Sequence, residues 1–227
     1  MPGARAAERF FVDRFRAEGD AEKADYMKAY MKSELGFFGI DQKSPRAASV
    51  DFAKAQAATE IDQLLEALDA LIASKHIEVR SAAIGVAERR RKDLGVAHLE
   101  RLMDWVRTTA CWAHVDWIAT KLVGIVLAKN PKELARIQRW GKDEHMWVRR
   151  TAIICQLDEL RAGRGDFDRL VKVSVPLLDE KEFFIKKAIG WAMRDVSKKR
   201  PELVRSFLAE HGERASGLTR REASKYL

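Results

Sequence analysis

A short pattern recurs in this chain at intervals of 33 to 37 residues, and it restricts the fold more than any other feature. It is visible when four segments are aligned: EVRSAAIG from Glu78, HVDWIATK from His114, WVRRTAII from Trp147 and FIKKAIGW from Phe184. Their aligned aliphatic residues, separated by 36, 33 and 37 positions, are Val79, Val115, Val148 and Ile185. This period, with two helices per unit, is typical of a helical solenoid, in which each helix pair buries its apolar face against its neighbours.

The local pattern also predicts helices throughout. Apolar residues recur at intervals of three and four, as in Ile61, Leu64, Leu65, Leu68, Leu71 and Ile72. No run of alternating β-branched residues bounded by turns is present, so the sequence does not indicate strands. The repeated unit resembles a HEAT-like repeat. We therefore predict an all-α fold, a HEAT-like helical-repeat solenoid or α-α superhelix.

The chain of 227 residues has the length of one domain or of two closely packed ones, and we predict a single domain over residues 1–227. The first 60 residues do not follow the register of the repeats. We expect residues 1–60 to form a helical N-terminal cap and residues 61–227 to form the stacked helix pairs.

The charge balance favours a polyanionic partner. Lys and Arg number 42 against 34 Asp and Glu, which gives a formal net charge of +8. Stacked helix pairs form a curved surface, and we expect its concave side to be basic and to accept an anionic partner.

Several other classes of protein are not indicated. Cys111 and Cys155 show no disulfide framework, and the five His residues show no metal-ligand spacing, so we expect no metal and no cofactor. No 18 apolar residues run together, which predicts no membrane span. We expect a soluble, cytoplasmic protein.

One repeat departs from the others at a charged position. The residue after the aligned aliphatic is a cation in three repeats (Arg80, Arg149 and Lys186), whereas the second repeat has Asp116. Trp112, four residues earlier, lies on the same helical face as Asp116. Two interpretations stay open from the pattern alone: Asp116 forms a structural ion pair and Trp112 fills the core, or the two residues form a functional site.

Two further groups of cations have more than one interpretation. Arg149 and Arg150 are adjacent and point about 100° apart around a helix, so one is the structural arginine of the repeat and the other is available for another role. A second group, formed by Lys187, Trp191, Arg194 and Lys198, has spacings of four, three and four and lies on one helical face. Such a face suits a phosphate backbone, although a half-buried Trp among solvated charges is an equal alternative.

The succession of these motifs resembles the AlkD-like family of DNA alkylation repair glycosylases. The resemblance covers most of the chain, in the segments YMKSELGFFGIDQKSPR, CWAHVDWIATKLVG, MWVRRTAIICQLD, KEFFIKKAIGWAMRDVSKKRPELV and LTRREASKYL. It implies that Asp116 is the catalytic aspartate, with Trp112 and Trp191 as the tryptophans of the site. It also implies that Arg150, or alternatively Arg149, contacts the DNA backbone.

The resemblance further implies that the basic concave surface binds DNA, that Tyr30 faces the DNA and that Lys187, Arg194 and Lys198 bind phosphates. The implied activity is that of a monofunctional glycosylase of base excision repair. Such an enzyme hydrolyses the N-glycosidic bond of cationic N7-alkylguanine and N3-alkyladenine in double-stranded DNA, without base flipping, and leaves an abasic site. We expect a monomer associated with the nucleoid. The alternatives are a non-catalytic HEAT-repeat protein that binds DNA or DNA structures, and a protein–protein adaptor. The preferred lesion stays open, because Ala113 and His114 stand where members of this family often differ.

Overall fold

The computed structural model describes residues 3–31, 33–109 and 111–227. Across these ranges the regular elements are helical, apart from one isolated parallel bridge between Gly36 and His76. The all-α prediction is therefore confirmed. The helices group into two compact units, Met1–Ile118 and Ala119–Leu227. The prediction of a single domain with a cap over residues 1–60 stays a prediction.

The first unit consists of seven α-helices within its described residues. In chain order they are α1 (Ala4–Glu18), α2 (Ala21–Met31), α3 (Lys43–Ala55), α4 (Ile61–Ile72), α5 (Ile77–Arg89), α6 (Leu99–Thr108) and α7 (Trp112–Ile118).

The second unit begins with a π-helical segment, Ala119–Val123. The α-helices that follow are α8 (Gly124–Lys129), α9 (Ala135–Trp140), α10 (Met146–Ile154), α11 (Leu157–Arg161), α12 (Phe167–Ser174), α13 (Phe183–Ser197), α14 (Pro201–His211) and α15 (Gly217–Ala223).

The pattern that recurs in the sequence forms a helix in each of the four repeats. Three of the aligned segments lie on α5, α10 and α13, and the second lies on α7 and the π-helical segment that follows it. The aligned aliphatic side chains are all completely buried: Val79, Val115, Val148 and Ile185. Burial of the same position in every repeat explains why the sequence retains an aliphatic residue there.

In the first unit, the helices that precede the first repeat pack directly against it. α1 contacts α4, and α3 lies against α5. Helices α3 and α5 approach so closely at Gly85 that a Cβ atom there would lie 2.5 Å from the hydroxyl oxygen of Ser49. The predicted cap therefore shares its core with the first helix pair.

A buried carboxylate fixes the backbone at Phe38 and Gly39, ahead of α3. Glu78, only 3% exposed, accepts hydrogen bonds from the backbone N–H groups of Phe38 at 2.9 Å and Gly39 at 3.2 Å. Gly39 has a φ of +76°, which glycine adopts without strain. Burial raises the pKa of Glu78 above its ordinary value, although the backbone donors oppose this effect.

In the second unit, α13 occupies the centre. It contacts α10, α11, α14 and α15. Gly190 permits the close approach of α15, because a Cβ atom at this position would lie 2.7 Å from Cβ of Glu222. We name Lys187, Trp191, Arg194 and Lys198 the α13 stripe, and its cations are therefore held next to α15.

Candidate functional site

Trp112 and Asp116 lie one helical turn apart on α7, as the sequence predicts. Trp112 is the first residue of the helix and is 40% exposed, and Asp116 is half-buried. The intervening Val115 is completely buried. Because consecutive helical residues point about 100° apart, burial of Val115 turns Asp116 toward the edge of the core. The interpretation of Trp112 as a core residue is not supported by its exposure.

The start of α7 is fixed by a buried histidine. His114 is 3% exposed; its Nε2 lies 2.8 Å from the hydroxyl oxygen of Ser81 on α5, and its Nδ1 lies 3.2 Å from that of Thr109. Desolvation lowers the pKa of His114 to about 3, with a smaller contribution from the charge of Arg80. The ring is therefore neutral near pH 7 and donates through one nitrogen while it accepts through the other. His114 thereby links the helix that carries Asp116 to α5 and to the end of α6.

Cys111, next to Trp112, is a protonated thiol. Burial raises its pKa, and the neighbouring carboxylate of Asp116 adds to this effect. Its backbone carbonyl accepts the N–H groups of His114 at 3.1 Å and Val115 at 3.2 Å, which begins the helix. The residue supports α7 and is not an activated nucleophile.

Two of the three repeat cations at the position of Asp116, Arg80 and Arg149, have a structural role. Nε of Arg80 donates to the carbonyl of Ser74 at 2.6 Å, and a terminal nitrogen of Arg149 donates to the carbonyl of Asp143 at 2.8 Å. Each acceptor lies six residues before its arginine, in the turn that leads into the helix. The corresponding position before Asp116 is Ala110, which lies outside the described residues.

The structure distinguishes the two adjacent arginines of α10. Arg149 shares the hydrogen bond found for Arg80 and also forms an ion pair with Glu180 at 2.7 Å. It is thus the structural arginine of its repeat. Arg150 is 3% exposed, donates to the carbonyl of Phe184 at 2.6 Å and has its guanidinium carbon 5.9 Å from the ring centroid of Trp191. With so little exposed surface, a phosphate could reach only the edge of this guanidinium unless the side chain moved. Contact of Arg149 or Arg150 with DNA stays a prediction.

Trp191 is half-buried on α13 and has a second arginine beside it that sequence reasoning missed. The guanidinium carbon of Arg161 lies 5.4 Å from the ring centroid of Trp191. Arg161 belongs to α11, which is outside the four aligned repeat helices, so no spacing in the sequence indicated the contact.

The cations of the α13 stripe rest on two buried carboxylates. Glu222 on α15, 4% exposed, forms ion pairs with Arg194 and, at 2.9 Å, with Lys187. Asp195, 3% exposed, accepts from Lys198 at 3.1 Å. The hydrogen bond from Lys187, helped by Lys225 and by the charge of Arg194, lowers the pKa of Glu222 to about 2.

The three cations of the stripe remain partly exposed, with 38%, 23% and 47% of the side-chain surface accessible for Lys187, Arg194 and Lys198. The cations of the stripe are therefore bound to buried carboxylates and remain accessible to solvent. Its contact with phosphates stays a prediction.

Tyr30 lies on α2, a helix with no buried residue within its bounds. Its side chain is 71% exposed and stacks on that of Tyr26, with ring centroids 6.4 Å apart and planes 17° apart. The residue is accessible, as a DNA-facing tyrosine requires, and its role stays a prediction.

The predicted site residues are divided between the units. Tyr30, Trp112 and Asp116 belong to the first unit, and Arg149, Arg150 and the α13 stripe belong to the second. Within residues 3–31, 33–109 and 111–227, no group of three or more His, Cys, Asp or Glu side chains is arranged to hold a metal ion. In the same ranges, no helix is long and apolar enough to cross a membrane.

Comparison with protein families gives a match over nearly the whole chain. The model of a family described as DNA alkylation repair enzyme matches residues 11–227. A search of curated proteins gives no match.

Three solved structures of similar fold come from Enterococcus faecalis and Streptococcus mutans. A protein described as a predicted DNA alkylation repair enzyme from Enterococcus faecalis is 30% identical, with a TM-score of 0.84, over 92% of this chain and 97% of that one. Two solved structures from Streptococcus mutans share the fold. AlkD2 has 21% identity and a TM-score of 0.63 over 91% of this chain and 97% of its own. The structure of smu.31 has 20% identity and a TM-score of 0.64 over 90% of this chain and 99% of its own.

Proposed function

Because this chain belongs to the family of DNA alkylation repair enzymes, we propose that it is a monofunctional DNA glycosylase of base excision repair. Membership of the family assigns a role in DNA repair. The proposal adds the bond and the base: the protein hydrolyses the N-glycosidic bond of cationic N7-alkylguanine and N3-alkyladenine in duplex DNA and leaves an abasic site.

The chemistry of such lesions explains why a carboxylate is suited to the task. Alkylation of a purine ring nitrogen gives the base a positive charge and makes it a good leaving group. The sugar that remains develops oxocarbenium character at C1′, and a nearby carboxylate stabilises this charge, as in glycoside hydrolysis. Asp116 would supply the carboxylate and orient the attacking water.

The observation that carries the proposal is the placement of Asp116. Its carboxylate stands where Arg80 and Arg149 of other repeats donate to the preceding turn. A carboxylate cannot donate such a hydrogen bond. On the same helix face, one turn away, the 40% exposed indole of Trp112 offers an electron-rich surface to a cationic base or sugar, worth roughly 0.5 to 2 kcal/mol. The second repeat thus exchanges a structural cation for a half-buried carboxylate one turn from an exposed indole.

Binding of the duplex requires no sequence readout, since lesions occur in any context. The partly exposed cations Lys187, Arg194 and Lys198 would neutralise phosphates, and Arg150 would do so through the edge of its guanidinium. Tyr30 would contact the duplex from α2. We propose that the protein acts on double-stranded DNA as a monomer and without a metal or cofactor.

Most enzymes that modify bases flip the target into a pocket. We propose that this protein does not, and that it recognises the lesion through its positive charge and its weakened bond. The protein should therefore accept bulky N7-alkyl groups and should release little uracil, which is neutral. Efficient release of uracil, or loss of activity on a much larger alkyl group, would contradict this part of the proposal.

The decisive experiment is single-turnover release of N7-methylguanine from duplex DNA by the wild type and by Asp116→Asn, with DNA affinity measured for both. Loss of an electrostatic stabiliser of the transition state costs about 10²- to 10³-fold in rate, so we expect a decrease of that size with DNA affinity preserved. Asp168→Asn, at an exposed position of α12, is the matched control and should react like the wild type.

If the wild type binds DNA but releases no base, the proposal fails. The chain would then be a non-catalytic protein that binds DNA or DNA structures and retains the residues of the site. If Asp116→Asn reacts as fast as the wild type, the assignment of the carboxylate is wrong.

A further inference from the structure

Arg161, the last residue of α11, lies beside Trp191 without having been indicated by any repeat or motif. Its guanidinium carbon is 5.4 Å from the indole centroid, and 37% of its side-chain surface is exposed. A guanidinium within about 6 Å of an indole centroid forms an attractive cation–π contact. The side chain therefore contacts one residue of the predicted site from a different helix.

The position of Arg161 is fixed by two carboxylates. Its Nε donates to Oδ2 of Asp195 at 2.7 Å, and its Nη1 donates to Oδ1 of Asp158 at 3.2 Å. Asp195 follows Trp191 by four residues on α13, so the two lie on one face of that helix. Because Asp195 is 3% exposed, it cannot move away from Arg161 without disturbing the core.

Two lysines complete the arrangement. Lys121 donates to the second oxygen of Asp158 at 2.8 Å, and Lys198 donates to the second oxygen of Asp195 at 3.1 Å. Charges thus alternate from Lys121 to Lys198 with Arg161 at the centre. Such a network restricts the guanidinium far more than one exposed ion pair would.

Arg150 contacts the same indole from α10. Its guanidinium carbon lies 5.9 Å from the centroid of Trp191, and its Nη1 is occupied by the carbonyl of Phe184. Arginines from two helices therefore restrain one half-buried ring. Both guanidinium groups are also bound to α13 itself, that of Arg150 through the carbonyl of Phe184 and that of Arg161 through the carboxylate of Asp195.

We propose that Arg161 is a positioning residue for Trp191: anchored by Asp195 and Asp158, its guanidinium holds the indole in the orientation that the site uses. The importance of that orientation for base release rests on the proposed function. The contact itself is a property of the protein without DNA.

The first test uses the protein alone. In a ¹H–¹⁵N spectrum, the indole N–H resonance of Trp191 is assigned among the six tryptophans as the one lost in Trp191→Phe. Arg161→Ala should shift this resonance more than any other indole resonance, and Arg161→Lys should shift it less. The control is Arg164→Ala, which removes an arginine that is 67% exposed and paired with Glu159; it should leave the Trp191 resonance in place.

The second test measures release of N7-methylguanine at saturating protein. Loss of a cation–π contact corresponds to roughly a tenfold lower rate constant for Arg161→Ala, with DNA affinity changed by less than about twofold. Arg161→Lys should recover part of the rate. The double variant of Arg161→Ala and Trp191→Ala should react no more slowly than Trp191→Ala alone, since both remove the same oriented indole.

An unshifted Trp191 resonance in Arg161→Ala would overturn the proposal, and so would rate losses that multiply in the double variant. Thermal melts of Arg161→Ala and Arg164→Ala are compared. If the two variants melt at the same temperature, unfolding does not explain the effects of Arg161→Ala. If the wild type releases no base, the proposed function fails, whereas the indole spectrum still decides whether Arg161 holds Trp191.

Discussion

Substitution of Glu222 by Gln tests the anchoring of the α13 stripe. Glu222 is 4% exposed on α15 and forms ion pairs with Lys187, Arg194 and Lys225. Gln retains the shape of the side chain but removes its charge. The variant therefore isolates the electrostatic part of the contact between α13 and α15.

The pKa of Glu222 sets the size of the effect. Its hydrogen bond from Lys187 is the largest cause of a decrease from 4.5 to about 2. This decrease corresponds to an upper limit of roughly 3 kcal/mol. Because the paired cations are partly exposed to solvent, screening reduces this contribution, and we expect Glu222→Gln to lower the free energy of unfolding by about 2 kcal/mol at pH 7.

The sign of the pH dependence follows from the same shift. A carboxyl with a depressed pKa in the folded state stabilises the protein fully above about pH 4.5, and this stabilisation is lost as the pH falls toward 2. The difference between the wild type and Glu222→Gln should therefore narrow to about 1 kcal/mol at pH 3.5.

Urea denaturation at pH 7, 5 and 3.5 measures these differences. Glu213→Gln, at an exposed position of the same unit, is the control and should unfold like the wild type at each pH. A difference between the wild type and Glu222→Gln that is the same at pH 7 and pH 3.5 would refute the reasoning, because packing rather than charge would then explain the loss.

Arg149→Ala should lower the free energy of unfolding by about 1 to 3 kcal/mol with little effect on DNA affinity, whereas Arg150→Ala should weaken DNA binding and reduce its salt dependence; urea denaturation and binding titrations at several salt concentrations separate the two. His114 has a folded pKa of about 3, far below that of a free imidazole, so the stability it contributes is complete above about pH 6.5 and is lost as the pH falls toward 3. Between pH 7 and 5 the wild type should lose about 2 kcal/mol more than His114→Gln, and equal losses in the two proteins would count against a neutral buried ring.

The helical repeat was predictable because burial imposes it directly on the sequence. A position such as Val79 or Val115 must be apolar in every repeat to close the core, and its recurrence is therefore visible without a structure. The departure at Asp116 was visible for the same reason, since a carboxylate stands out against aligned cations. The division into two compact units was not predictable, because the boundary follows Ile118 within the second aligned segment, where the sequence shows no linker.

The partners of the cations could not be predicted from spacing. Adjacent positions show that Arg149 and Arg150 diverge, but the acceptors that distinguish them, Glu180 and the carbonyl of Phe184, lie 31 and 34 residues further along the chain. Asp195 and Glu222 are equally inconspicuous in the sequence, since nothing local shows that they are buried. Such contacts depend on which helices pack against each other. The repeat predicts that helices pack, but it does not predict which ones.

The two tryptophans assigned to the site have different electrostatic surroundings, which the resemblance alone did not distinguish. The ring centroid of Trp191 has the guanidinium carbons of Arg150 and Arg161 at 5.9 and 5.4 Å, whereas no cation–π contact involves Trp112 among the described residues. A cationic base approaching Trp191 would meet two positive charges and lose part of the attraction that a bare indole provides. A phosphate or a neutral sugar would not lose attraction in this way. If the proposed function holds, discrimination in favour of cationic lesions therefore rests more on Trp112 and Asp116 than on Trp191, whose surroundings favour the anionic backbone.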